Sequence, residues 1–192
     1  MNRRIPIVST LVVLAAAATM VSLGVWQLHR KEWKEALITR YERAQEASAE
    51  VPWPGGPGEY EAALYHRSRV NCAVVTGMAA RSGRSAADQA GWAHIAHCSL
   101  PAGGTADVAL GWSNDPRDVA WRGGPVTGWV AGSDRGVRLI ASPPQAGLAQ
   151  LAPPDPRDLP NNHLSYAVQW FLFATIALVI YVLALRKRWR ER

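Results

Sequence analysis

The chain has 192 residues, with 21 Lys and Arg against 15 Asp and Glu, a length of one domain with extra segments. Arg3 and Arg4 stand at one end and Arg186, Lys187, Arg188, Arg190 and Arg192 at the other; without these seven and Glu191, 14 basic and 14 acidic residues remain between positions 5 and 185. The net basicity therefore lies in the tails, which excludes a nucleic-acid binder, whose charge must cover a folded surface that tracks phosphates, and fits Lys and Arg flanking membrane spans.

From Ile5 to Leu28 the chain carries no charge across 24 positions, and from Tyr166 to Leu185 none across 20. Each run is long enough for a hydrocarbon core of roughly 30 Å at about 1.5 Å per residue. A cleaved signal peptide would share the basic start and the "AAAA" stretch of the first run, but its apolar core has only ~7–15 residues. Arg30, Lys31 and Lys34 offset Arg3 and Arg4, so the first run does not orient itself. The C-terminal "RKRWRER" does, which predicts both tails in the cytoplasm and the segment between the runs outside it.

Between the runs, Trp33, Leu37, Tyr41 and Ala44 recur at helical spacing and predict an amphipathic helix continuing from the first span. "VPWPGGPG" stops it. Short apolar stretches bounded by Gly, Pro, Ser and Asp follow, with Val70, Cys72 and Val74 alternating, and predict a small sheet. Pro160, Asn161 and Asn162 mark the start of a second helix. The expected organisation is a cytoplasmic tail at 1–4, a transmembrane helix at 5–28, an amphipathic helix at 29–50, a periplasmic or intermembrane-space β-rich domain at 51–160, a transmembrane helix at 161–185 and a basic cytoplasmic tail at 186–192. The fold class is membrane α+β, two transmembrane helices flanking a small, mainly antiparallel β domain.

Cys72 and Cys98 fall on predicted strands that could be neighbours; in an oxidising compartment they form either a structural disulfide or two separate buried thiols. Hydrolase, zinc-protease, thioredoxin, phosphate-loop and dinucleotide motifs are absent from the sequence. His94, His97 and Cys98 in "HIAHC" make a poor metal site, because His94 and His97 point to opposite faces of a strand. Trp26, Trp33, Trp170 and Trp189 lie near span ends, where an aromatic belt is expected.

"LGVWQLHRKEWKEALI" at 23–38 and "NNHLSYAVQWFLFATIALVIYVLALRKR" at 161–188 resemble the paired end motifs of the Surfeit locus protein 1 family, which assists assembly of haem-copper cytochrome c oxidases. "ALGWSNDP" falls where that family has its R-G-W segment, with Leu110 in place of the arginine, and the central domain is short and divergent. The resemblance implies a non-enzymatic membrane chaperone of the bacterial inner membrane, or of the mitochondrial inner membrane in a eukaryote. Its implied partners are cytochrome c oxidase subunit I, haem a synthase and the lipid bilayer, its cofactor haem a held transiently, and its iron ligand the histidine of N-N-H, which is His163.

The motif residues it points to are Gly24, Trp26, Gln27, Arg30, Trp33, Lys34, Asn161 and Gln169, with Asn162, Tyr166 and Trp170 beside His163. From His163, helical spacing gives Ala167, Trp170, Ala174, Ala177 and Tyr181, a face open either to a planar macrocycle or to packing against the first span. The positive end of a helix dipole disfavours a cation and leaves an imidazole lone pair free for iron, and it favours anionic propionates. The other reading of His163 is a cap or interface anchor. Gln27 is placed to bond across to Gln169, and Arg30 to meet a propionate or a lipid phosphate. An accessory subunit of the oxidase that never handles haem is the alternative to a chaperone.

Overall fold

The structure, a computed structural model, describes residues 6–47 and 49–191. The tail expected at 1–4 with Arg3 and Arg4, the first position of the apolar run, Ile5, and the final Arg192 lie outside the described residues. In chain order the elements are α1 (Ile7–Glu46), β1 (Glu50–Val51), α2 (Pro57–Ala63), β2 (Arg67–Cys72), β3 (Val74–Arg84), β4 (Ala90–Ser99), β5 (Thr105–Ser113), β6 (Gly124–Ser133), β7 (Gly136–Ala141), a 3₁₀ turn (Pro156–Asp158) and α3 (His163–Arg190). They form two units, Met1–Ile38 with Leu159–Arg192, and Thr39–Asp158.

The first unit holds two helices long and apolar enough to cross a membrane. Between Ile7 and Glu46 the sequence has no proline and one glycine, Gly24, so nothing interrupts the hydrogen-bond ladder of α1. Four hydroxyl groups in the apolar stretches donate to carbonyls one turn back: Thr10, Thr19 and Ser22 to those of Pro6, Ala15 and Ala18, and Thr175 to that of Phe171. Lipid offers a polar group no other partner. α3 ends with Lys187, Arg188 and Arg190 in its last turn, where cations complement the negative end of the helix dipole.

The second unit is a seven-stranded sheet of order β1-β2-β6-β7-β5-β4-β3. Four of its neighbouring pairs are antiparallel, while β1 with β2 and β5 with β7 are parallel, so the sheet is mainly antiparallel but mixed. Turn chemistry sets the antiparallel part. Gly103 and Gly104, both at positive φ, carry the chain from β4 to β5, and a two-residue turn joins Ser133 of β6 to Gly136 of β7. One face closes over Val70, Ala96, Val108, Leu110, Val126, Val130 and Leu139.

Cys72 and Cys98 are joined in a disulfide inside this core. The expectation that their strands are neighbours is corrected: β6, β7 and β5 lie between β2 and β4 in the sheet order. Only Ala73 separates β2 from β3, and its N–H donates to the carbonyl of Ser99 at the end of β4. The sheet therefore rolls until β2 reaches β4 across the core. The same link turns Val74 outward, 57% exposed, so the expected alternation holds at Val70 and Cys72 and stops there.

Of the stripe expected at the end of α1, the lower half is buried and the upper half is not: Trp33 stays 50% exposed and Leu37 is half-buried. Tyr41 and Ala44 are buried, with the Tyr41 ring 4.6 Å from that of Tyr65, and Gln45 Nε2 donates to the Pro154 carbonyl at 2.7 Å. The helix expected to run to residue 50 ends at Glu46, and Glu50 and Val51 pair with Arg67 and Ser68 instead.

Candidate functional site

His163 is the first residue of α3, and Pro160 holds the preceding chain out of the helix. Its imidazole meets α1: Nδ1 lies 2.7 Å from Gln27 Oε1. An amide oxygen can only accept, so Nδ1–H is the donor. No hydrogen bond involves Nε2 among the described residues. Gln27 is thus paired with His163 and not with Gln169, which is exposed on another face of α3; Gln169 lies six residues from His163, well over a quarter-turn off its line.

Below His163 the predicted small-residue face is occupied by packing. Ala167 and Ala174 are buried, and the ring of Phe171 presses on Gly24, where a Cβ would stand 2.6 Å from Cε1. Deeper still, the Tyr181 hydroxyl meets Thr10 Oγ1; because the Thr10 hydroxyl already donates to Pro6, Tyr181 is the donor. The intervals from Gln27 to Thr10 and from His163 to Tyr181 each come to roughly 26 Å at about 1.5 Å per residue, so the two contacts tie an antiparallel pair near both ends of its apolar length. Of the two uses read for this face, α1 takes up the alanine stripe.

The remaining sequence-derived residues divide accordingly. Trp26 and Tyr166 stay exposed, at 56% and 48%, on the same end of the helix pair as His163. Trp170 is half-buried and meets Phe173 edge-on, centroids 6.2 Å apart. Asn162 is the N-cap residue but makes no side-chain cap bond, while Asn161 Oδ1 is buried without a hydrogen-bond partner among the described residues. The Arg30 guanidinium lies 3.9 Å from the centre of the Trp33 ring, a cation–π contact that occupies the group expected to meet a propionate or a phosphate. Lys34 is half-buried one turn on.

In the second unit the "HIAHC" residues separate, and no group of three or more His, Cys, Asp or Glu side chains among the described residues could hold a metal. His94 is 1% exposed, its Nε2 2.8 Å from Ser113 Oγ. His97 Nδ1 instead lies 2.6 Å from Asp107 Oδ1, across the β4–β5 ladder. Leu110, at the position of the missing arginine, is fully buried in the core. Sequence reasoning missed the Asp115–Arg117 and Asp155–Arg157 loop pairs, in which the arginine's side-chain hydrogen bond holds each carboxyl below its ordinary range.

The SURF1 family model matches residues 14–175, most of the chain. This chain belongs to the SURF1 family. The matched range contains Gln27, His163 and the whole β domain. The family is associated with assembly of cytochrome c oxidase and is known as an assembly-factor family. Among curated proteins the chain finds no match.

Proposed function

We propose that this SURF1-family member binds haem a through His163 and assists its insertion into subunit I of a haem-copper oxidase, acting as a membrane chaperone that leaves the finished complex. The observation that carries the reading is the donor set. With its Nδ1–H committed to Gln27, the His163 ring in its uncharged form carries its lone pair on Nε2, the group an axial haem ligand needs. His163 also stands at the end of an apolar helix pair, a depth suited to a group whose macrocycle is apolar and whose propionates are charged.

Bound haem a would supply the redox iron that the oxidase requires. What this chain contributes is holding. His163 offers one nitrogen, exposed Tyr166 and Trp26 offer aromatic surface beside it, and the first turn of α3, without a side-chain cap from Asn162, offers the positive end of its dipole to anionic propionates. The C-terminal basic cluster supports an orientation with both tails in the cytoplasm and the β domain outside, in a bacterial inner membrane, where haem a synthase and subunit I would be the partners.

The experiment is the visible spectrum of the detergent-purified protein, made in cells with and without haem a synthesis. A haem a spectrum that His163→Ala abolishes at normal yield supports the reading. Protein that carries no haem a and stays with the mature oxidase through purification is an accessory subunit instead.

A further inference from the structure

The Gln27–His163 bond joins two residues far apart in sequence at the functional end of the helix pair, and its chemistry limits what the histidine can do. An imidazole that gives its Nδ1 hydrogen to an acceptor is held in one tautomer and one orientation, and the strength of that acceptor sets how much electron density the ring can push to a metal on Nε2. A carboxylate in this place pushes strongly. The amide of Gln27 is neutral and pushes weakly.

We propose that Gln27 is a positioning residue: its amide oxygen fixes His163 as the Nδ1–H tautomer with Nε2 presented to iron, and its neutrality keeps the iron–imidazole bond weak enough for the haem to be handed on. The inference rests on the haem-binding reading above and adds to it the device by which binding stays transient. No other hydrogen bond to either side chain competes with this one among the described residues. His163 itself sits where the ring could otherwise turn, since it is only half-buried.

The test uses the full-length protein in detergent at pH 8, titrated with ferric haem a, comparing wild type, Gln27→Leu and Gln27→Glu. Gln27→Leu keeps the volume and removes the acceptor; haem affinity should fall roughly 10–100-fold. Gln27→Glu keeps the reach and strengthens the acceptor. Affinity should rise, transfer to excess apomyoglobin should slow, and the haem midpoint potential should move negative. A role in packing alone weakens binding in both variants and leaves the potential unmoved, so opposite signs are the signature. A reading independent of haem comes from ¹⁵N spectra of histidine-labelled protein without haem, assigned against His163→Ala, which should show hydrogen on Nδ1 in wild type and a mixture of tautomers in Gln27→Leu.

Unchanged affinity in Gln27→Leu, loss of affinity in both variants, or hydrogen found on Nε2 of wild type would each overturn the proposal. A wild type that binds no haem a, or a His163→Ala protein that binds it undiminished, overturns the ligand reading beneath it and the proposal with it. The nitrogen spectra then still report whether Gln27 holds the ring.

Discussion

Gly24 on α1 and Phe171 on α3 touch so closely that a Cβ on the glycine would come within 2.6 Å of the aromatic edge. Small residues let membrane helices approach where no hydrophobic force drives them together. Gly24→Ala should therefore cost about 1–3 kcal/mol as overpacking, and Gly24→Leu more, read as lower melting temperatures in detergent. Phe171→Ala should restore much of the loss when combined with Gly24→Ala, because the two changes meet at one contact. Equal melting temperatures for wild type and Gly24→Leu would show that the helices do not pack here.

The disulfide gives a second outcome. Replacing Cys72 and Cys98 together with serine should lower the stability of the β domain by roughly 2–4 kcal/mol, read by denaturant unfolding, and leave any haem spectrum as it was. Two thiols that label in the native, oxidatively extracted protein would contradict the bridge.

Alkaline pH should weaken the second unit through its paired tyrosines, Tyr41 and Tyr65. Burial pushes the Tyr65 phenol above its ordinary value, with further upward pushes from Tyr41, Asp158 and Asp155, and burial likewise raises Tyr41, helped by Glu61. A native state that keeps the proton longer than the unfolded chain has this contribution in full below about pH 10, and loses it as pH rises through the native values. Stability should fall as pH rises above about 10 in wild type, and fall less in Tyr65→Phe; parallel curves would remove the tyrosine as the cause.

Topology is tested at a turn that tolerates insertion. Gly103 lies in the exposed β4–β5 turn with open space beside it. A reporter active only outside the cytoplasm should work there and fail when fused after Arg192. Equal activity at both places would contradict two spans with an external domain.

The two helices were legible because charge-free runs leave the chain few alternatives in lipid, and the strands because Gly and Pro punctuate them. What sequence could not supply was partnership over distance. Gln27 was matched to the wrong residue of the second helix, since periodicity assigns a face but not the rotation of one helix against another. The parallel pairing of β5 with β7 and the union of Cys72 with Cys98 depend on how the sheet rolls, and that follows from a single linking residue, Ala73, whose significance shows only once Val74 and Ser99 are paired. Helical spacing found the face containing Ala167 and Ala174, but small residues serve a macrocycle and a neighbouring helix equally well, so its use had to be seen.

Ala73 has a consequence for the order of assembly. Because Val74 pairs with Ser99 and the Ala73 N–H reaches the Ser99 carbonyl, the hairpin of β3 and β4 is enough to bring Cys72 beside Cys98. Oxidation can follow this local event and need not await β5, β6 or β7. A covalent seam set so early would fix β2 in place as the template on which β6 later lays down its hydrogen bonds, and a nascent chain emerging into an oxidising space would be stapled before its core is complete.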